Sequence, residues 1–357
     1  MNTAQTIAAI AGVELLRLIR SPTSFTLLLV VPALQLLLFG HAVRPTADQV
    51  KLAVAGPAAS QDRILRLTGA AGLKVVAHHL PPGSAEAMVR SGRASVAVEL
   101  PTGPFAPVRT VIDASEPGLT AKAESQIQAI YWQALAERND VADYGPRLHI
   151  ERLFNPGERS DWAFLPALTG TIMMISMLML GTLSMARERE LGTWEALIAM
   201  PVNRGELLAG KIAPLVVIGS AQGVIVLALS AGIFQLPLRG SIFALVALMP
   251  IFAAAHLVLG YALASRARTQ LAALQGAVAF YLPAMLLSGF LYPFETLPPW
   301  AQALGRIFPL THFVRASRDA TLRGADAGTV LLHGSPIALF LGAALMLAFA
   351  QHRARLD

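Results

Sequence analysis

The chain has 357 residues, 55% of them hydrophobic and only 14% charged, with a net charge of +6 and no cysteine. A charged share so far below the roughly 25% of soluble domains excludes a water-soluble globular protein, and the missing cysteine excludes a disulfide framework or a thiolate metal site. The positive excess raises nucleic-acid binding, which the placement of the charges must decide.

Residues 4–20 set Ile7, Ile10, Val13, Leu16 and Ile19 against Glu14, Arg17 and Arg20, the pattern of an amphipathic helix on a membrane surface. Ser21-Pro22 ends it, and an uncharged stretch follows over 21–43, long enough to cross about 30 Å of hydrocarbon as a helix. Gly40-His41-Ala42 has the small residues of a signal-peptide cleavage site. The long charged lead and the length of the apolar run argue for a membrane span instead.

Residues 44–161 carry equal numbers of acidic and basic residues, so none of the net charge lies there. The runs 51–55, 73–78, 94–100 and 108–112 read as strands, with helices over 60–71 and 84–91 between them. A further helix at 118–138 presents Leu119, Ala123, Ile127, Ile130 and Ala134 on one face to that sheet. The order predicts a small α/β domain. His78 and His79 are adjacent, so a strand points them to opposite faces and they make a poor metal pair.

Five more uncharged stretches follow, at 162–186, 212–238, 240–265, 269–294 and 327–352. Between the first two lies a charged segment from Arg187 to Lys211, in which Leu191, Trp194, Leu197 and Ile198 recur at helical spacing. It reads as a short amphipathic helix that can dock on another protein. Gly205 to Ile212 matches a phosphate-binding loop except at its last position, where Ile212 stands in place of the Ser or Thr that holds magnesium. That mismatch and the helix-forming filler argue against a nucleotide site, and Lys211 is expected at the headgroup level at the mouth of the third span. Gly219 and Gly223 allow close helix approach. His256 is the one ionisable side chain near mid-membrane and reads as a buried histidine bonded to a backbone carbonyl. Ser288 to Gly324 begins apolar and is broken by Pro293, Pro298, Pro299 and Pro309, while Phe290, Leu291, Phe294, Trp300, Ile307, Phe308 and Phe313 keep it lipid-compatible. This suits a segment dipping part-way into the outer leaflet over an ordinary amphipathic external loop.

Counting Lys and Arg in the short segments gives ten on the side of the termini and five opposite, so both termini are expected in the cytoplasm and residues 44–161 outside. The cluster of arginines between 306 and 323 sits least comfortably with this count. No Asp, Glu, Lys or Arg interrupts any of the six stretches, which disfavours proton-coupled transport. The charge excess is therefore membrane orientation, and no nucleic-acid partner is expected.

Four blocks, Glu14 to Gly40, Phe154 to Gly170, Arg187 to Lys211 and Ser288 to Gly324, resemble the membrane subunits of type-2 ATP-binding-cassette exporters, in particular the bacterial branch with a large external domain after the first span. The resemblance implies a polytopic α-helical membrane protein of six transmembrane helices with an inserted small α/β domain. Its parts are an interfacial helix at 1–22, a first span at 23–43, a periplasmic domain at 44–161, and a transmembrane domain at 162–357. It implies that 187–211 couples to a separate ATPase, through Arg187, Glu188, Arg189, Glu190, Gly192, Thr193, Glu195 and Pro201. It also implies a re-entrant element at 292–322, gated around Gly289, Pro293, Pro298, Pro299 and Pro309.

The implied function is the permease of a bacterial inner-membrane exporter for an amphipathic or lipophilic solute. This chain would bind no cofactor, ATP and Mg being used by the partner. Further partners would be a second permease chain, identical or a sibling, a periplasmic adaptor, and the lipid bilayer itself. The competing readings are a membrane-anchored envelope sensor or assembly factor with a ligand-binding external domain, and an intramembrane enzyme. The enzyme is disfavoured by spans that lack acids and paired histidines.

Overall fold

The structure is a computed structural model that describes residues 3–21, 26–30, 32–36, 50–68, 73–103, 106–115, 117–136, 147–157, 159–193, 202–265, 267 and 269–353. The chain divides into two compact units. One holds all five described strands, the helices between them and Tyr292–Pro298; the other holds the amphipathic helix, Phe164–Leu291 and the chain from Pro299 onward.

In the first unit, β1 (Val50–Ala55), α2 (Ala58–Thr68), β2 (Leu73–Leu80), α3 (Ala85–Arg90), β3 (Val96–Glu99), β4 (Val108–Asp113), α4 (Pro117–Ala136) and β5 (Leu148–Leu153) follow one another. The sheet order is β2-β1-β3-β4-β5. All pairs are parallel except β3 with β4, which run antiparallel, Val96 opposite Ile112. Period-two alternation builds the core: Val50, Leu52 and Val54 bury one face of β1 with Val96, Val98 and Ile112. Leu119, Ala123, Ile127 and Ile130 of α4 cover that face, the helical stripe expected from the sequence. β5 was not expected. Its sequence, Leu-His-Ile-Glu-Arg-Leu, alternates half-exposed polar side chains because it is an edge strand with one wet side.

In the second unit, α1 (Thr3–Ile19) precedes α5 (Ser160–Glu190), α6 (Arg204–Phe234), α7 (Ile242–Ala264), α8 (Gln270–Leu287), α9 (Pro299–Gly305), α10 (Pro309–Arg318), α11 (Ala327–Leu332) and α12 (Gly334–Arg353). Five stretches among the described residues are long and apolar enough to cross a bilayer: Asp161–Glu190, Gly205–Phe234, Ile242–Ala264, Gln270–Leu287 and Ala327–Gln351. The molecule is a multi-span membrane protein. The remaining expected span, 23–43, lies mainly outside the described residues, which there include only helical turns at 26–30 and 32–36.

α5 is the most enclosed of the five, with Leu165, Leu168, Ile172, Met173, Met177 and Leu178 fully buried. Lipid offers no hydrophobic drive between helices, so close approach supplies the contact, and small residues permit it. A β-carbon at Gly260 of α7 would stand 2.9 Å from Thr182 N of α5, and one at Gly223 of α6 would stand 3.0 Å from Met249 Sδ, with Met173 nearer still. α5 and α6 have 31 residues each, roughly 46 Å at about 1.5 Å per residue. Each is thus longer than the hydrocarbon layer and carries charged residues beyond it.

Candidate functional site

α5 ends at Glu190 because Gly192 adopts φ +67°, a left-handed conformation suited to glycine, and Leu191 N–H closes on Arg187 O at 3.0 Å. The last helical turn therefore holds Arg187, Glu188, Arg189 and Glu190 around its circumference. α6 restarts at Arg204, with Asn203 N–H donating to Glu206 Oε2 at 3.3 Å, and brings Lys211 two turns in. The stretch that mimics a phosphate loop is the beginning of this helix. Gly210 has its own use: a β-carbon there would lie 2.8 Å from Ile10 Cβ, so its absence seats α1 against α6.

With α1 so placed, Glu14 and Arg17 meet α5 and α6. Lys211 Nζ donates to Glu188 Oε1, and Arg17 donates to the same oxygen at 2.9 Å. Glu14 Oε1 accepts from Ser184 Oγ at 2.8 Å, and its other oxygen lies 3.9 Å from Lys211 Nζ. The side chains of Glu188 and Lys211 are each only 4% exposed. Burying such charges costs several kcal/mol per ion unless they are paired and hydrogen-bonded, and here they are. The result is a polar joint between three helices that are far apart in sequence.

The joint changes two sequence expectations. Glu188, expected on the docking face, is turned inward and spent on Lys211 and Arg17. Lys211, expected at the headgroups, is buried, because helix α6 begins before the apolar stretch does and packs its first turns against α1 and α5. Of the other expected coupling residues, Arg187, Glu190, Gly192 and Thr193 are exposed, Arg189 is half-buried, and Thr193 Oγ1 caps Glu188 O at 3.2 Å. Glu195 and Pro201 lie outside the described residues. Glu14, Arg17 and Ser184 were not singled out from sequence as members of a site. The local signal was present as an acid and a base on one face of a surface helix, but nothing local names their partners.

The opposite part of this unit is closed by packing. α10 starts with Pro309 in its first turn and buries Leu310, Phe313 and Val314. Phe313 stacks on Phe252 of α7 at 4.4 Å, and a β-carbon at Gly170 of α5 would come within 2.6 Å of the Phe313 ring. Two of the arginines that unsettled the charge count, Arg318 and Arg323, are structural, while Arg306 is exposed. Arg318 is buried and donates to Gly289 O at 3.1 Å, Arg323 pairs with Asp319 at 3.2 Å, and Arg239 reaches Leu322 O at 3.4 Å. His333 Nε2 lies 2.9 Å from Asp319.

The expected gate residues fall in both units. Gly289, at φ +86°, and Pro309 belong to the membrane unit, as does exposed Pro299, whereas buried Pro293 and exposed Pro298 group with the strands. Glu295 in that last stretch pairs with Lys51 of β1. The stretch 292–322 is therefore shared between the two units.

His256 is fully buried, its Nδ1 2.9 Å from Phe252 O and its ring 4.4 Å from that of Phe252. Gln222 of α6 bonds Leu28 O at 2.8 Å and Ser176 Oγ at 2.9 Å, tying α5 and α6 to the turn at 26–30. The rings of His78 and His79 are neighbours at 4.5 Å. Among the described residues no cluster of three or more His, Cys, Asp or Glu is placed to hold a metal ion.

Residues 23–350 match the ABC2_membrane_3 family of ABC-2 family transporter proteins. The probable multidrug ABC transporter permease YbhR of Escherichia coli K12 is 26% identical over 235 residues, 65% of this chain and 64% of its own length. Against that relative the match covers slightly less than two thirds. YbhS of the same organism, also a probable multidrug ABC transporter permease, is 24% identical over 334 residues, 89% of each chain. The inner membrane transport permease YhhJ is 26% identical over 182 residues, half of this chain and 48% of its own.

Proposed function

The chain belongs to the ABC-2 family of transporter proteins as a multi-span membrane permease, and on that premise we propose that it forms the transmembrane pathway of an exporter for an amphipathic or lipophilic solute. ATP is hydrolysed by a separate subunit. The observation that carries this reading is the polar joint at the end of α5. A helix buried along most of its length ends in a ring of charge, one side of which locks to α1 and α6 while Arg187 and Glu190 stay exposed. Such an end can receive force on its free side and pass it to two other helices, because the Lys211–Glu188 pair on its inner side is desolvated and Arg17 of α1 shares the same carboxylate oxygen.

On this reading the first stretch, 23–43, completes six spans, both termini are cytoplasmic, and 44–161 is a periplasmic domain. The turn after Glu190, through 211, seats the ATPase, and Arg187, Arg189, Glu190, Gly192, Thr193, Glu195 and Pro201 remain the proposed contact set. Glu188 supports it from within. Gly289, Pro293, Pro298, Pro299 and Pro309 remain proposed as an outer gate, with Glu295 and Lys51 linking its first part to the sheet. A second permease chain completes the pathway; the relatives named for multidrug transport make lipophilic cations and lipids the first solutes to try.

The test is ATP hydrolysis by the chain reconstituted with its ATPase, across lipophilic drugs, lipids and pigments. Stimulation by at least one solute is expected. Glu190→Lys should abolish ATPase binding without unfolding the chain, since Glu190 is exposed. Absence of stimulation by every solute, with the ATPase bound, would favour the sensor reading instead.

A further inference from the structure

A cavity of about 680 Å³ opens beside the polar joint, lined by α1, the end of α5 and parts of α6 and α8. Its charged lining is Glu14, Arg17, Arg20, Arg187 and Glu188, and its apolar lining includes Leu16, Leu180, Leu183, Leu191 and Leu215. Glu188 Oε1 is held by Lys211 and Arg17 and Glu14 Oε1 by Ser184, while Glu188 Oε2 has no hydrogen-bond partner among the described residues. Arg20 and Arg187 have no ion-pair partner among the described residues, and both line the cavity. Counting Lys211 behind the wall, the cavity is framed by four cations and two anions. It has an anion's complement of charge and a hydrocarbon wall.

α1 shows what kind of anion belongs there. Glu14 is buried and Ile10 packs against Gly210 of α6, while Val13, Leu16 and Ile19 are 53%, 48% and 69% exposed. In a bilayer those side chains enter the acyl region, so the mouth of the cavity lies where headgroups and chains meet. We propose that this cavity binds an acidic phospholipid, its phosphate between Arg20 and Arg187 and the start of its chains along Leu16, Leu180 and Leu183. Basic pockets between membrane helices hold acidic headgroups by this same combination. A bound lipid here touches α1 and the final turn of α5 together, so it would brace the joint from its open side. The inference needs the chain to lie in a membrane but does not depend on transport or on an ATPase.

The experiment is native mass spectrometry of the detergent-purified chain, with phosphatidylglycerol and phosphatidylcholine as probes. Preferential retention of phosphatidylglycerol is expected. Arg20→Ala with Arg187→Ala should weaken it roughly twenty-five-fold, at about fivefold per arginine. Arg20→Lys with Arg187→Lys should keep most of it, and Arg90→Ala in the first unit should change nothing. Equal retention of the two lipids overturns the proposal, as does an alanine pair that binds like the parent. So does a lysine pair that loses as much as the alanine pair. Inorganic phosphate at millimolar concentration should leave the lipid bound; complete displacement would make the site one for a free anion. None of these readouts uses ATP, so failure of the exporter reading leaves them standing.

Discussion

Glu14, Arg17, Glu188 and Lys211 in the membrane unit and Glu86, Arg90, Arg109 and Glu151 in the strand-bearing unit are the same chemical set, two carboxylates and two cations, each set joining elements distant in sequence. In the second set Arg109 reaches Glu151 at 2.6 Å and Glu86 at 2.9 Å, comparable with the 2.9 Å from Arg17 to Glu188 in the first. What differs is water. Arg109 is 38% exposed, Glu86 31% and Glu151 35%, against 4% for Lys211 and Glu188. Pair energy scales inversely with the local dielectric, and an unpaired charge is costly only where water cannot reach it. Equal geometry therefore gives a rigid joint in one unit and a soft surface network in the other.

Breaking the buried pair should give the largest effect. Lys211→Met leaves Glu188 with half-exposed Arg17 and should cost about 3–5 kcal/mol, read as a lower unfolding temperature in detergent. Lys211→Met combined with Glu188→Met should recover most of that loss, since Glu188 is then no longer a buried charge without its partner and Glu14 keeps its bond from Ser184. If Lys211→Met costs no more than Arg109→Ala, burial is not what separates the two networks. Arg17→Ala tests an intermediate case. The Arg17 side chain is 52% exposed although its partner is buried, and the loss should be about 1 kcal/mol. It should shrink in high salt, while the loss from Lys211→Met should not.

The contrast also explains what could be read in advance. Period-two and period-3.6 patterns are local, and they located β1 to β4 and α2 to α4 within a few residues and the five described spans with ends displaced by up to seven. β5 escaped because an edge strand with charges on its wet side has no apolar run to announce it. The membrane joint escaped for another reason. Glu188 and Arg187 are both charged neighbours in sequence, and only the packing of α6 and of α1, the latter 171 residues away in the chain, makes one buried and leaves the other exposed. Arg318 misled the charge count in the same way: it reads as a loop cation and is a buried donor to Gly289 O. Charge patterns show where the membrane ends, but they do not reveal which charges the fold consumes.

The smallest expected effect sharpens the comparison from the wet side. Hydrogen bonds from Arg90 and from Arg109 hold the Glu86 carboxyl below its ordinary value of 4.5, with burial opposing them only weakly. A folded-state value below the unfolded one means that the contribution is present above about pH 4.5 and is lost as pH falls through the folded value. Both cations stay charged throughout, and Glu151 is common to both chains, so the difference between them reports the Glu86 carboxylate. Wild-type chain and Glu86→Gln should therefore differ slightly near neutrality, by no more than about 1 kcal/mol for so exposed a group, and converge in acid. Amide exchange of α3 and β4, corrected for intrinsic rates, measures this in the intact chain. A difference that persisted in acid would mean that Glu86 acts through packing; one that vanished in high salt at neutral pH would confirm that this network, unlike the buried joint, is held in water.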